Sequence, residues 1–523
     1  MPPALAVRPW GCDQFGVKRS VLIPLTIAGL FGLLMAALLL PATFLFPGAG
    51  LPWRPVGDAA QHAVAQRFFI ASDWGWPPLD IGLMGGLNLA FADGIPLLAL
   101  PLKAVREWLP PGFHGIGLWY AIAWATLPPA AAWAFAGTGE RRPLPLLCMA
   151  VAAVSMPAFI MRFGHAALCG HTVLWLGLGL YLRLVDEARP RKRGLWAGAV
   201  LLQAATLLIH PYLAVMTLAL LAAVPATLLL RGRNFIGAAL GMAAALAGVV
   251  GVMAAFGYLG AVGDGQRWYG AFALNLLSPI WPFRSFFLGG LVGTEIDATG
   301  HGGWEGYNWL GTGLILALFL VVLGHGRTAL RGLRSHAGLV AVCLGLTLLA
   351  VSMRVGLGHA VLLDLGTPPA ALEQFRASGR FFWPVGAAIL LGVAAVLSRA
   401  GRTGTIALAA LAVLQFIDAA PQRAAFSAWA AQRPDWRIDA DRLRPAIAAA
   451  TRVTLVPSWV CTSPDDHETR EAILELLALI SENPRPVNTM YAARWRVPPV
   501  CEPVAGAPAP GELRLTWRNG RWE

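Results

Sequence analysis

The residues best suited to chemistry lie in a polar stretch that follows the first long apolar segment. In GDAAQHAVAQRFF, Asp58, His62 and Gln66 are four residues apart, so a helix would align a carboxylate, an imidazole and an amide on one face. Carboxylates and imidazoles can act as general bases. The pattern is also typical of a helix-capping Asp beside an exposed His, and the sequence leaves both interpretations open. Asp93 lies in turn-like sequence and is predicted to form a turn.

Basic residues form two further candidate groups. In MRFGHAALCGH, Arg162 and His165 are one helical turn apart, although an Arg at a membrane edge can also extend to lipid headgroups. In LEQFRASGRFFWPV, Arg376 and Arg380 are four residues apart, so on a helix their guanidinium groups would point the same way and could clamp a phosphate. The alternative is that Glu373 neutralises Arg376 on that helix.

Two more candidates lie at the ends of apolar segments. Glu305, in GGWEGYNWLGTG, is a carboxylate at the predicted bilayer edge, where it needs a partner or a substrate hydroxyl. His210 precedes Pro211 between two apolar segments and is either a ligand-binding residue or a histidine satisfied by its neighbours. No metal ligand is predicted, because His165 and His171 would lie on different sides of one helix.

The composition of the chain predicts that these residues belong to a membrane protein. The chain has 523 residues, of which 57% are hydrophobic and 13% charged, too few polar side chains to cover a soluble globule of that size. Charge-free stretches of about 15–25 residues predict about eleven transmembrane helices in an all-α polytopic fold. They lie at about 21–45, 115–136, 144–161, 171–186, 195–209, 211–230, 235–262, 308–324, 338–353, 381–398 and 404–418.

The net charge of +12 could indicate a nucleic-acid surface, but the position of the charges favours another explanation. With residues 1–20 in the cytoplasm, the short loops that face inward contain 17 Lys and Arg against 4 acidic residues. This is the positive-inside pattern, so no nucleic-acid partner is predicted. Residues 94–109 contain two prolines and three charges, so we interpret them as an interfacial segment within a first outer loop at 46–114.

An odd number of crossings predicts that residues 420–523 lie on the outer side, the periplasm of a Gram-negative cell. This tail is predicted to be a small α/β domain with a strand at 452–459, a helix at 467–482 and a hairpin at 512–522. Cys461 and Cys501 could be joined in an oxidising compartment or remain two unpaired thiols. The domain division is thus 1–20, 21–419 and 420–523.

Several motifs resemble an uncharacterised bacterial membrane family: GDAAQHAVAQRFF, RFGHAALCGH, HPY, LNLLSP, WEGYNWLGTG and FRASGRFFWPV. One long first span, an outer loop that opens with an acidic residue, interfacial helices, about eleven spans and a soluble outer tail resemble the GT-C class of integral-membrane glycosyltransferases. The likeness covers most of residues 20–400 and extends into the tail at NTMYAARW.

In the GT-C class, the acidic residue of the first outer loop is the catalytic base or a metal ligand, and the donor is usually a sugar on polyprenyl phosphate. The resemblance therefore implies Asp58 as the base. It also implies Arg162, His165, Arg376 and Arg380 as ligands of the lipid phosphate. His62, His210 and Glu305 are added as substrate-binding candidates from their own positions in the sequence. Because Ala59 follows Asp58 where some members have a second carboxylate, no cofactor is assigned and a divalent cation stays an open alternative.

The expected protein is a multi-pass glycosyltransferase of the bacterial inner membrane, with a cytoplasmic N-terminus. It would transfer a sugar from a polyprenyl-phosphate donor to an envelope glycan or lipid acceptor on the periplasmic side. The alternatives are a non-catalytic component of envelope polysaccharide assembly and a flippase for lipid-linked oligosaccharides. The predicted spans carry no Asp, Glu, Lys or Arg near their centres, which argues against the flippase.

Overall fold

The computed structural model describes residues 19–47, 54, 56–188, 192–260, 269–497, 501 and 506–523. Most of the predicted cytoplasmic N-terminus therefore lies outside the described residues. The helices are α1 (Arg19–Leu39), α2 (Ala42–Leu45), α3 (Asp58–Ala71), α4 (Pro96–Ala104), α5 (Ile116–Ala136), α6 (Pro143–Val154), α7 (Pro157–Ile160), α8 (Thr172–Val185), α9 (Lys192–Ile209), α10 (Pro211–Leu230), α11 (Ile236–Ala255), α12 (Thr312–Ser335), α13 (Ala337–Val351), α14 (Trp383–Arg399), α15 (Gly401–Asp418), α16 (Ala420–Ala430), α17 (Ala440–Ala449) and α18 (His467–Ile480).

Among the described residues, six helical segments are long and apolar enough to cross a membrane. They are Val21–Leu39, Ala166–Val185, Pro211–Leu230, Ile236–Ala255, Thr312–Ser335 and Ser378–Arg399. The pair α15 and α16, bent by 43°, would make a seventh. A helix lies in each of the eleven predicted segments, but several are too short to span alone: α6 has 12 residues and α13 has 15. The structure therefore supports a membrane protein with six or seven candidate spans and does not establish eleven.

The region at 94–109 contains the nine-residue helix α4, followed by a 3₁₀ turn at Arg106–Trp108. Nine residues cannot cross a bilayer, and α4 is not among the candidate spans. It packs against α3 and α9. The Lys103 amine is buried there, donating to the Ser72 hydroxyl at 2.8 Å and lying 4.2 Å from the centre of the Phe69 ring.

Two small sheets complete the fold. The first is an antiparallel hairpin of β1 (Arg354–Leu357) and β2 (Ala360–Asp364), which the sequence did not predict. The second contains β3 (Arg452–Val456), β4 (Glu512–Arg518) and β5 (Arg521–Trp522), with β3 parallel to β4 and β4 antiparallel to β5. The predicted strand, helix and hairpin of the tail are thus confirmed. The structure also joins Cys461 to Cys501, which the sequence had left open.

The tail packs directly on the first loop. Apolar side chains of α3, such as Val64 and Phe68, share one buried cluster with Ile473 and Leu476 of α18. Backbone hydrogen bonds add to this contact, because Ala493 N–H donates to the Phe91 carbonyl at 2.8 Å. Such a shared core fixes the tail against the helix that begins at Asp58.

The helices α1 and α5 pack closely against each other. A Cβ at Gly32 would lie 2.2 Å from the Trp124 carbonyl oxygen, whereas one at Gly29, a turn earlier, would meet nothing closer than 3.8 Å. Small residues let helices approach closely in membranes, and the absence of a side chain at Gly32 is what permits this contact.

We expect Gly32→Ala to lower the thermal midpoint of the purified protein in detergent, since forcing a methyl group into a packed contact costs about 1–3 kcal/mol. Gly29→Ala is the matched control, because it makes the same change in the same helix with room for the methyl group. Equal midpoints for the two variants, measured by tryptophan fluorescence during heating, would contradict the proposed close packing.

Candidate functional site

Asp58 lies at the start of α3, and its side chain faces two partners from distant parts of the chain. Gly57 precedes the helix with φ 57°, a left-handed conformation that suits glycine, so Asp58 is the first helical residue and does not cap the helix. The Tyr491 hydroxyl donates to Asp58 Oδ1 at 2.9 Å, and Oδ2 lies 3.2 Å from His165 Nε2. The Asp58 side chain stays one-third exposed.

Tyr491 belongs to the tail and was not among the predicted site residues. It lies in NTMYAARW, the only tail segment that carried the family resemblance, which was the available signal. Its ring stacks on Trp459, with centroids 4.3 Å apart. Burial and the Asp58 carboxylate both raise the pKa of Tyr491, so the phenol is a donor at neutral pH.

Glu305 is the centre of a buried ion-pair cluster. Its carboxylate accepts from Arg162 Nη1 at 2.6 Å and from Arg380 Nε at 2.9 Å, with a second bond from Arg380 Nη2. His165 Nε2 lies 3.2 Å from Glu305 Oε1, the same distance as from Asp58. Burial alone would raise the pKa of Glu305, but Arg380, Arg162 and His165 hold it well below its usual range.

Close backbone packing positions the Glu305 loop. A Cβ at Gly306 would lie 2.2 Å from the Ala273 carbonyl oxygen, so a side chain there would displace the loop. Trp304 stacks flat on the His165 ring, with centroids 5.6 Å apart, and its carbonyl accepts from Arg162 Nη2 at 3.0 Å. The headgroup interpretation of Arg162 is therefore wrong, because its guanidinium is buried in this cluster.

The predicted two-guanidinium fork is also wrong. Arg376 precedes the 3₁₀ turn at Ser378–Phe382 and is not on a helix with Arg380, because Gly379 packs closely against the backbone of Gly306 and Phe272. Arg380 is buried and bound to Glu305. Arg376 is exposed, lies 5.5 Å from the Phe272 ring centre, and forms no ion pair with any carboxylate that the structure describes.

A second group of polar residues lies beside the first. His62 is buried, with Nε2 at 3.9 Å from Asp93 Oδ2, so the exposed-His interpretation is wrong. His210 Nε2 lies 3.4 Å from Asp93 Oδ1, and His210 Nδ1 accepts from Tyr212 N–H at the start of α10. Asp93 does form the predicted turn, with φ 51°. Its carboxylate also lies beside both histidines.

Burial and neighbouring side chains together set the charge states of His62 and Asp93. Desolvation lowers the pKa of His62 to about 4, so its imidazole is neutral at pH 7. Burial would raise the pKa of Asp93, but His210 and His62 lower it, so the carboxylate is ionised. Gln66 is structural: its amide donates to the Gly94 carbonyl at 2.7 Å and accepts from Gly115 N–H at 2.8 Å.

The structure therefore brings Asp58, Arg162, His165, Glu305 and Arg380 into one connected network. His62 and His210 lie in the adjoining group, and Arg376 is exposed nearby. Within the described part of the chain, no three His, Cys, Asp or Glu side chains form a group that could hold a metal ion. A carboxylate beside an imidazole can accept a proton, and guanidinium groups can stabilise an anion.

These features define a mostly helical protein that has six or seven candidate membrane spans in the part of the chain that the structure describes, and a buried ion-pair cluster between its loops. The chain belongs to the family described as domain of unknown function DUF6311. Residues 29–420 match that domain, and residues 442–516 match the DUF6311 C-terminal domain. A comparison with curated proteins finds no match. Asp58 and Tyr491 come from the two different matched regions, so both contribute to the site.

Glu305→Gln should destabilise the fold by about 3–5 kcal/mol, because it leaves two buried guanidinium groups without a counter-charge. Glu295→Gln, in the same loop, is the control and should have little effect, since no ion pair to Glu295 is found among the described residues. The free energy of unfolding in detergent gives the comparison. If the two variants proved equally stable, Glu305 would not hold the cluster together.

His62 should make stability depend on pH. Its pKa is about 4 in the folded protein against 6.5 for the free side chain, so the unfolded chain takes up a proton first as the pH falls. Stability should therefore drop between pH 6.5 and 4, by about 2 kcal/mol at pH 5. In His62→Gln, we expect the free energy of unfolding to fall less over this pH range than in the wild type. The same pH profile in both proteins would contradict a neutral, buried His62.

Proposed function

We propose that this protein is a membrane glycosyltransferase. It transfers a sugar from a polyprenyl-phosphate-linked donor to an envelope glycan or lipid acceptor, with Asp58 as the general base. One observation carries the proposal: the Asp58 side chain shares His165 with a cluster that contains Arg162 and Arg380. Base and cations that are far apart in the sequence are neighbours in space, as sugar transfer from a phosphate requires.

The chemistry would proceed by displacement at the anomeric carbon. Asp58 takes the proton of the acceptor hydroxyl, the oxygen forms the new glycosidic bond, and the bond to the donor phosphate breaks. The phosphate leaves with the electron pair and its added negative charge. Tyr491 and His165 fix the two Asp58 oxygens, so that the carboxylate meets the hydroxyl in one orientation.

The charges assign different roles to the three arginines. Arg162 and Arg380 are already bound to Glu305, so we assign them to holding the site together. Arg376 has no carboxylate partner among the described residues and is exposed. It is therefore the cation best able to bind a donor phosphate directly.

The membrane placement is also part of the proposal. We infer about eleven crossings, with the N-terminus in the cytoplasm and residues 420–523 in the periplasm of a Gram-negative cell. The basic residues of the predicted inward loops support this orientation. A disulfide between Cys461 and Cys501 is consistent with an oxidising compartment. The donor lipid would remain in the bilayer and present its phosphate to Arg376.

In cells whose only copy is Asp58→Asn, mass spectrometry should find accumulated lipid-linked donor and at least about 100-fold less product glycan, since a general base contributes 10²-fold or more. Tyr491→Phe should give a smaller loss. Asp73→Asn replaces a fully exposed carboxylate of the same loop and should leave the profile unchanged.

An unaltered glycan profile in Asp58→Asn cells would count against transfer. If removal of residues 442–523 abolished the glycan while Asp58→Asn did not, the non-catalytic role in polysaccharide assembly would replace the proposal.

A further inference from the structure

A cleft beside the Glu305 loop is lined by none of the cluster residues and has no part in the proposed chemistry. About 450 Å³ of empty space lies along it, most of it continuous with the solvent at its mouth. Three segments form its walls: residues 273–283, 295–307 and 354–356. A Cβ at Gly303 would lie 2.2 Å from the Ile296 carbonyl oxygen, and one at Gly356 would lie 2.6 Å from Ala298 Cβ. The walls are thus closely packed and the cleft is preformed.

Aromatic and charged side chains share the lining. Trp281, Phe283 and Tyr307 provide apolar surface, whereas Glu295, Asp297 and Arg354 provide charge. This mixture of aromatic surface with a few polar groups is typical of small-ligand sites.

The two carboxylates of the cleft are in different situations. Asp297 is occupied by its own loop, since its oxygens accept from Thr299 N–H and Gly302 N–H at 2.7 Å each. Glu295 is half-buried and accepts no hydrogen bond from any described residue. Burial raises the pKa of Glu295, and the nearby charge of Arg284 offsets this only in part. A ligand with hydroxyl donors would satisfy it.

Charge selects among ligands that carry hydroxyl groups. Two carboxylates and one guanidinium line the cleft, while Arg284 acts on Glu295 and Asp364 lies 3.9 Å from Arg354. Three carboxylates thus face two guanidinium groups, and this net negative charge disfavours a phosphate or another anion. A neutral sugar ring can donate hydroxyls to Glu295, accept from Arg354, and pack its apolar face on the aromatic rings. We infer that this cleft binds a neutral hexose unit, and, resting on the proposed function, that this unit belongs to the acceptor glycan.

The position of the cleft supports an acceptor over a donor. Gly303 and Gly306 line it, and between them Trp304 and Glu305 contact His165, Arg162 and Arg380 on the other side. One loop thus lies between the cleft and the ion-pair cluster that shares His165 with Asp58. An extended acceptor could occupy the cleft with one sugar while another reaches Asp58.

Saturation-transfer NMR on the full-length protein in nanodiscs tests this inference. The probes are methyl glucoside, methyl galactoside and methyl mannoside, with glucuronate as the charged counterpart. At least one neutral glycoside should bind, and glucuronate should bind about tenfold more weakly. Glu295→Gln and Arg354→Gln should each weaken the neutral probe about tenfold. Glu107→Gln, an exposed carboxylate of the first loop, is the control and should bind as the wild type does.

Three results would overturn the inference: no binding of any neutral glycoside, equal binding of glucuronate, or full binding by both cleft variants. Arg354 is exposed and Glu295→Gln should have little effect on stability, so both variants report on binding. The test is independent of catalysis, because Asp58→Asn should still bind the probe. Probe binding together with normal glycans in Asp58→Asn cells would retain the sugar site and reject the transferase.

Discussion

The buried carboxylate of Glu305 is the constraint on which the rest of the site depends. An isolated ion at that depth would cost several kcal/mol, so the chain must bring cations to it. Arg162, which follows α7, and Arg380, which precedes α14, supply two of them. His165 then extends the network to Asp58. Four regions that are distant in the sequence are thereby held in one place.

This arrangement also determines which charges remain available to a substrate. Arg162 and Arg380 are neutralised within the network, whereas Arg376 is exposed beside it. The neighbouring His62 is neutral and Asp93 is anionic, so that side of the site disfavours phosphate. The tail contributes through Tyr491 and through the core that it shares with α3. The tail is therefore part of the site.

The sequence predicted local structure well and long-range contacts poorly. The helix beginning at Asp58 and the tail strand, helix and hairpin follow from periodicity and turn residues, which are local properties. The fork of Arg376 and Arg380 failed because the close approach of Gly379 to Gly306, a tertiary contact, imposes a 3₁₀ turn. The partners of Glu305 could not be predicted, because they are distant in the sequence: Arg162 lies 143 residues before it. The burial of His62 likewise depends on tertiary packing, which the spacing of residues in the sequence does not reveal.

The central claim is that Asp58 and Arg376 act on one lipid-phosphate sugar at a single site. The most direct test is a cryo-EM structure of the protein in nanodiscs with a non-transferable polyprenyl phosphosugar analogue. The account predicts the phosphate within hydrogen-bonding distance of Arg376, with the sugar directed towards Asp58. An analogue bound elsewhere on the protein, with the network around Glu305 unoccupied and unchanged, would contradict it.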